Sequence, residues 1–175
     1  MMHFIFVGFL FFLFILEGSL LQLMLPQSMG SSYVVVSQLV FNGMILLSLY
    51  LQKREVFFYS LGFGLFYDLI YGPAIGIYTF TTIWTAFGVC WVAKRFPPVP
   101  WVITLTTLLA QWIHLSLYYG WLRLFDLTNQ SLFPTLFNSI IPSVFFNLIM
   151  MYPIYLFIHW ILYKYQHKSV QLYRT

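Results

Sequence analysis

The stretch GLFYDLIYGPAIG, Gly64 to Gly76, decides how the chain is read. One carboxylate, Asp68, sits in an otherwise apolar run, and Gly72, Pro73 and Gly76 follow it. Gly64, Asp68 and Gly72 are four apart, so they share one helix face. Small residues at that spacing let helices approach closely. Gly72-Pro73 is a turn signal, and Gly76 stands near the start of a returning helix. The stretch reads as a tight hairpin of two helices with its carboxylate near the turn. Free N–H groups at the start of the second helix, and that helix's dipole, favour an anion there.

The surrounding composition says what solvent the hairpin meets. Of 175 residues, 61% are hydrophobic and 7% are charged, against about 25% charged in a soluble domain. So few charges cannot cover a soluble core, and the solvent is a bilayer. Length predicts one integral membrane domain over residues 1–175. The single cysteine, Cys90, excludes an internal disulfide and a multi-cysteine metal site and reads as packing. The N-terminal apolar run has no Lys or Arg before it and no A-x-A site after it, so it reads as a retained helix rather than a signal peptide.

A crossing takes roughly 20 mainly apolar residues. The predicted spans are 3–25, ended by Pro26; 32–51, ended by Gln52-Lys53-Arg54-Glu55; 56–72; 74–93, ended by Lys94-Arg95; 99–121, entered through Pro97, Pro98 and Pro100; and 136–163. Pro134 should lie near the start of the last helix, with a kink at Pro142 or Pro153. The tail from Gln166 to Thr175 reads as a short cytoplasmic end. Six spans put Lys53, Arg54, Lys94, Arg95, Lys164, Lys168 and Arg174 on the side of the termini and only Arg123 opposite. That asymmetry predicts both termini in the cytoplasm. The expected fold is therefore all-α: a polytopic membrane protein with six transmembrane helices in one compact bundle.

Enzyme signatures are missing: there is no Walker loop, G-x-S-x-G, H-E-x-x-H or CxxC. No catalytic residue, metal or cofactor is expected, and no nucleic acid. Glu17, Asp68 and His114 all fall roughly 20 Å from the cytoplasmic edge at a rise of ~1.5 Å per residue. Asn138 lies near that depth, and Asn42 and Asn147 closer to the midplane. One level on three helices suggests an internal cluster in which Glu17 or Asp68 pairs with His114 or with Asn amides. The other reading is that each side chain snorkels to the headgroups. The six tryptophans and 13 tyrosines suit aromatic belts at span ends, with a stacked-ligand pocket as the alternative. Lys53, Arg54, Lys94 and Arg95 form cytoplasmic basic loops that could meet anionic lipid.

The longer stretch GFGLFYDLIYGPAIGIYTFTTIW, Gly62 to Trp84, resembles the rod shape-determining MreD family. Gly64, Leu65, Asp68, Leu69, Gly72 and Gly76 fit that family's G-L-x-x-D-L-x-x-G-x-x-x-G pattern. The resemblance implies a non-enzymatic membrane component of the bacterial elongation machinery. Such a component helps to organise lateral peptidoglycan synthesis and rod shape with the single-helix protein MreC and the filament MreB, near RodA and a class B penicillin-binding protein. It also implies a structural role for Gly64, Asp68, Gly72, Pro73 and Gly76, with Glu17 and His114 as further members of a polar network, and MreB as the alternative to anionic lipid at Lys53, Arg54, Lys94 and Arg95. The family is similar in fold to the substrate-binding S-components of vitamin uptake transporters, which gives an alternative function. Their first helix often carries A-x-x-x-A; here FIFVGFLFFLFILEG has Gly8 and Gly18 but no alanine. A lipid or polyprenyl carrier of another family is a third reading.

Overall fold

The computed structural model describes residues 2–21 and 34–172, with side chains at 3–19 and 34–164. Six helices form among them, and no strand. Helix α1 is Met2–Leu16 and runs into a π-helical turn, Glu17–Leu21. Helix α2 is Leu39–Ser48, α3 is Lys53–Tyr71, α4 is Ile77–Ala93 and α5 is Pro100–Leu124. Helix α6 is continuous through Leu132–Thr135, the π-helical Leu136–Ile140 and Ile141–Leu172. The end of the first expected span, residues 22–25 with Pro26, and the start of the second, residues 32–33, lie outside the described residues. So do the side chains of Lys168 and Arg174.

Helix α2 is the centre of the fold. All ten of its residues are buried, and it packs against α1, α3, α4, α5 and α6. On one side Met44, Leu46 and Leu47 join Phe6, Leu10, Met151 and Ile158 in the main apolar core. On another Phe41 and Ile45 meet Val89 of α4 and Ala110 of α5. Gly43 makes the α1 contact close: a Cβ there would stand 2.7 Å from Leu10 Cδ2.

The expected helix over 32–51 is corrected. Residues 34–38 are not helical and form no strand, and the helix begins only at Leu39. The run Tyr33-Val34-Val35-Val36 is β-branched or aromatic after its serines, a poor start for a helix. α6 supplies the hydrogen-bond partners that the non-helical backbone needs inside the protein. Val36 N–H donates to Ser143 Oγ at 2.8 Å and Gln38 N–H to Asn147 Oδ1 at 2.8 Å. Asn147 Nδ2 returns a bond to the Val36 carbonyl at 2.8 Å. Pro142 has no N–H for the carbonyl four residues back, which is that of Asn138. Val34 N–H takes this acceptor at 2.9 Å. The proline and the π-helical turn before it thus create the seat for the non-helical segment.

The other boundaries move by a few residues. Lys53, Arg54 and Glu55 form the first turn of α3 rather than a loop, and Glu55 Oε2 accepts the Gln52 N–H at 3.1 Å. Pro134 sits in the first turn of α6 and Pro153 within it. α6 stays helical to Leu172, through most of the stretch expected as a tail.

Outward faces are hydrocarbon. Leu69 is 64% exposed and Ile149 72%, with Phe133, Phe145, Trp84, Trp101 and Trp160 also more than half exposed. Buried positions include Glu17, Asp68, His114, Asn42, Asn147 and Gln111. A soluble protein shows the reverse arrangement. Over Leu132–Lys164, α6 is by itself long and apolar enough to cross a membrane. The apolar helices His3–Ser19, Leu39–Ser48 and Ile77–Ala93 are shorter.

Candidate functional site: a buried polar network

Asp68 lies in the last turn of α3 and caps α4 from outside it. Its Oδ2 accepts the Gly76 N–H at 2.9 Å, the Thr79 N–H at 3.0 Å and the Thr79 hydroxyl at 2.6 Å. Its Oδ1 accepts the Tyr78 N–H at 2.9 Å. The first N–H groups of a helix have no partner within it, and the carboxylate also meets the positive end of the dipole. The hairpin glycines have distinct reasons. Gly76 has φ of 104°, a left-handed conformation that favours glycine. A Cβ on Gly64 would stand 2.8 Å from Thr79 Cα, so the α3–α4 approach depends on its absence. A Cβ on Gly72 would stand 2.7 Å from the Asp68 carbonyl oxygen. Pro73 follows Gly72 in the turn, after the Gly72 N–H has closed α3 on the Asp68 carbonyl at 3.1 Å.

Glu17 opens the π-helical turn after α1 and is buried at the N-terminal end of α2. Its Oε2 accepts the Val40 N–H at 3.1 Å, and its Oε1 accepts the Tyr67 hydroxyl at 3.1 Å. Asp68 and Glu17 therefore perform one task on two helices: each supplies acceptor oxygens to N–H groups that α4 or α2 cannot satisfy alone.

His114 of α5 is fully buried. Its Nδ1 lies 3.1 Å from Gln38 Nε2, and its Nε2 lies 3.3 Å and 3.1 Å from the hydroxyls of Thr81 and Thr82. With the Gln38 amide donating, Nδ1 is the acceptor and the ring proton sits on Nε2, facing the threonines. Thr81 gives its own proton to the carbonyls of Ile77 and Tyr78, which leaves its oxygen free to accept. The ring stacks near Phe41 at 4.0 Å and meets the edge of Tyr78 at 4.9 Å between centroids.

The three groups are thus buried but not paired with one another, which corrects the expected pairing of Glu17 or Asp68 with His114 or with Asn amides. The Glu17 and His114 ends are linked through rings. Tyr67, bonded to Glu17, stacks on Tyr78 at 3.9 Å, and Tyr78 abuts His114. Asn42 and Asn147 join from the midplane. Asn42 Nδ2 donates to the Asn147 carbonyl at 2.8 Å, and Gln111 Nε2 donates to Asn42 Oδ1. Asn138 contributes its backbone carbonyl. Gln38 Oε1, Gln111 Oε1 and the Tyr78 hydroxyl are buried without a hydrogen-bond partner. Gln38, Gln111, Thr81, Thr82, Ser143, Tyr67 and Tyr78 were not expected in the network. Gln38 and Asn42, and Ser139, Ser143 and Asn147, recur at four-residue spacing, and that stripe was the available signal.

Lys53 and Arg54 at the start of α3, and Lys94 and Arg95 after the end of α4, are brought to one end of the hairpin. Val56 packs with Ala86 and Cys90 just inside that end. The start of α1 joins them, since His3 Nε2 lies 3.4 Å from Glu55 Oε1. Arg123 lies at the far end of α5, where it donates to the Gln130 carbonyl at 2.8 Å. Among the described residues, no group of three or more His, Cys, Asp or Glu could hold a metal ion.

Apolar outer faces around a polar, internally bonded centre define an all-helical membrane protein. A family model described as rod shape-determining protein MreD matches residues 2–165. The chain belongs to the MreD family of shape-determining membrane proteins, and its broad role is in rod-shape determination. No curated protein and no solved structure matches it.

Proposed function

We propose that the protein is a six-span, non-enzymatic scaffold of the elongation machinery, with both termini in the cytoplasm. On this reading it helps to organise peptidoglycan synthesis through MreC, MreB, RodA and a class B penicillin-binding protein. The second crossing is the unusual one. Five non-helical residues at up to ~3.3 Å each and ten helical ones at ~1.5 Å each together reach up to about 30 Å, the thickness of the hydrocarbon core. Non-helical backbone at that depth is tolerated only where protein buries it, and α6 does so. The segregation of Lys53, Arg54, Lys94 and Arg95 from Arg123 supports the orientation.

The observation that carries the scaffold reading is the state of the ionisable interior. Glu17, Asp68 and His114 each spend their hydrogen-bonding capacity on the chain's own groups. What remains for partners is the outer helix faces and the short connections, and a single transmembrane helix such as that of MreC suits such a face. The test is purification of the tagged protein from membranes, with mass spectrometry of partners and bound small molecules. MreC and elongation proteins without a stoichiometric ligand are expected. An ATP-hydrolysing transport module, or a vitamin held at Gln38, Gln111 and Tyr78, would replace this reading with the S-component one.

A further inference from the structure

A groove of about 490 Å³ runs along the outside of the bundle between α4 and α5. Val92 and Phe96 line one end of it, Trp84 and Leu117 lie toward the other, and Gly88 and Leu105 line the middle. No atom comes within 4 Å of where a Gly88 Cβ would stand, so the groove is open where α4 is thinnest. Along α5 it extends from Trp101 to Leu117, roughly 24 Å at ~1.5 Å per residue. That exceeds half of the ~30 Å hydrocarbon core, the depth of one leaflet.

One end of this apolar channel is cationic. Lys94 and Arg95 lie between Val92 and Phe96, and both are exposed. The Arg95 guanidinium is held over the Trp91 ring, 4.6 Å from its centroid. Among the described residues the one ion pair is His3–Glu55, so neither Lys94 nor Arg95 has an acidic partner. We propose that this groove binds an anionic glycerophospholipid, one acyl chain lying along Gly88 and Leu105 and the phosphate held by Lys94 and Arg95. The charge complementarity selects the occupant: a hydrocarbon chain fills the groove, and an anionic headgroup supplies the missing counter-charge. A zwitterionic lipid fits the channel equally well but answers the two cations poorly. That the lipid belongs to the cytoplasmic leaflet rests on the proposed orientation; the binding itself does not.

The test is native mass spectrometry of the full-length protein in mild detergent, titrated with phosphatidylglycerol or phosphatidylethanolamine of identical chains. A roughly thirtyfold preference for phosphatidylglycerol is expected, the scale of two basic side chains at an anionic headgroup. K94Q/R95Q should abolish the preference. G88L, which fills the groove and leaves the charges in place, should weaken retention of both lipids. K53Q/R54Q removes equal charge from the same end of the hairpin but away from the groove, and should leave the preference intact. Equal retention of both lipids overturns the proposal, as does an effect of K53Q/R54Q matching that of K94Q/R95Q, which would reflect surface potential alone. A partner protein's helix cross-linked at Gly88 would also overturn it. The K94Q/R95Q pair alters only exposed side chains, so it remains informative should G88L misfold. The readout is made in detergent and is independent of topology and of elongation partners, so it can fail while the scaffold reading stands.

Discussion

Asp68 acts as the cap that α4 lacks in its own sequence. D68A strips all four hydrogen bonds and leaves helix-start amides without acceptors, at about 1–3 kcal/mol for each buried group left unmet. D68N keeps one oxygen where three donors converge and turns its amide toward the Tyr78 N–H, so it sacrifices one bond. Thermal unfolding in detergent should rank wild type above D68N and D68N above D68A; equal midpoints for the two variants would remove the capping account. G64A should cost about 1–3 kcal/mol by overpacking, since its Cβ meets backbone rather than a movable side chain. G62A, with no atom within 4 Å of its Cβ position, should be near neutral in the same assay. The partners of Asp68 were readable from the Gly-Pro turn and the helix behind it, because they are local. Those of Glu17 and His114 were not. Tyr67 and Gln38 reach them from other elements, and depth along a helix says nothing about which neighbour faces it.

At the scale of elements, the non-helical segment before α2 is tied to one stripe of α6. N147L leaves the Gln38 N–H and the Val36 carbonyl unpaired, whereas S143A frees only the Val36 N–H. N147L should therefore lower stability more than S143A, by roughly 1–3 kcal/mol. A second check uses Pro142. P142A returns to α6 a donor for the Asn138 carbonyl, in competition with Val34. Hydrogen exchange should then accelerate at residues 34–38 and leave α3 and α4 unchanged; uniform acceleration would mean that the bundle as a whole had loosened. The continuous apolar run of this segment reads as helix, and a buried non-helical stretch carries the same pattern. Long-range side-chain acceptors decided the matter. The donor missing at Pro142 was legible, but its use as a seat was not, because that use depends on Val34 over a hundred residues away.

Among the described residues of the whole molecule, the outward faces are apolar, and the buried polar groups lie beside an apolar core. Composition made the apolar exterior readable at once, while the central place of α2 comes from packing that no periodicity records. On the proposed topology, cysteines replacing Lys94 and Arg123 should be labelled from opposite sides of the membrane in a C90S background. Labelling from one side would rule out the six-span arrangement. The central claim is that work is done at the outer faces and the polar interior holds them in place. The most direct measurement is in-cell photo-cross-linking from a residue placed in turn at Leu69, Trp84, Phe145 and Ile149, all outward-facing, with mass spectrometry of the adducts. The account predicts covalent capture of a transmembrane elongation protein from at least one of these faces, with no protein adduct from a probe at buried Thr82. Lipid adducts alone from every outward position, together with a small molecule captured at Thr82, would contradict it.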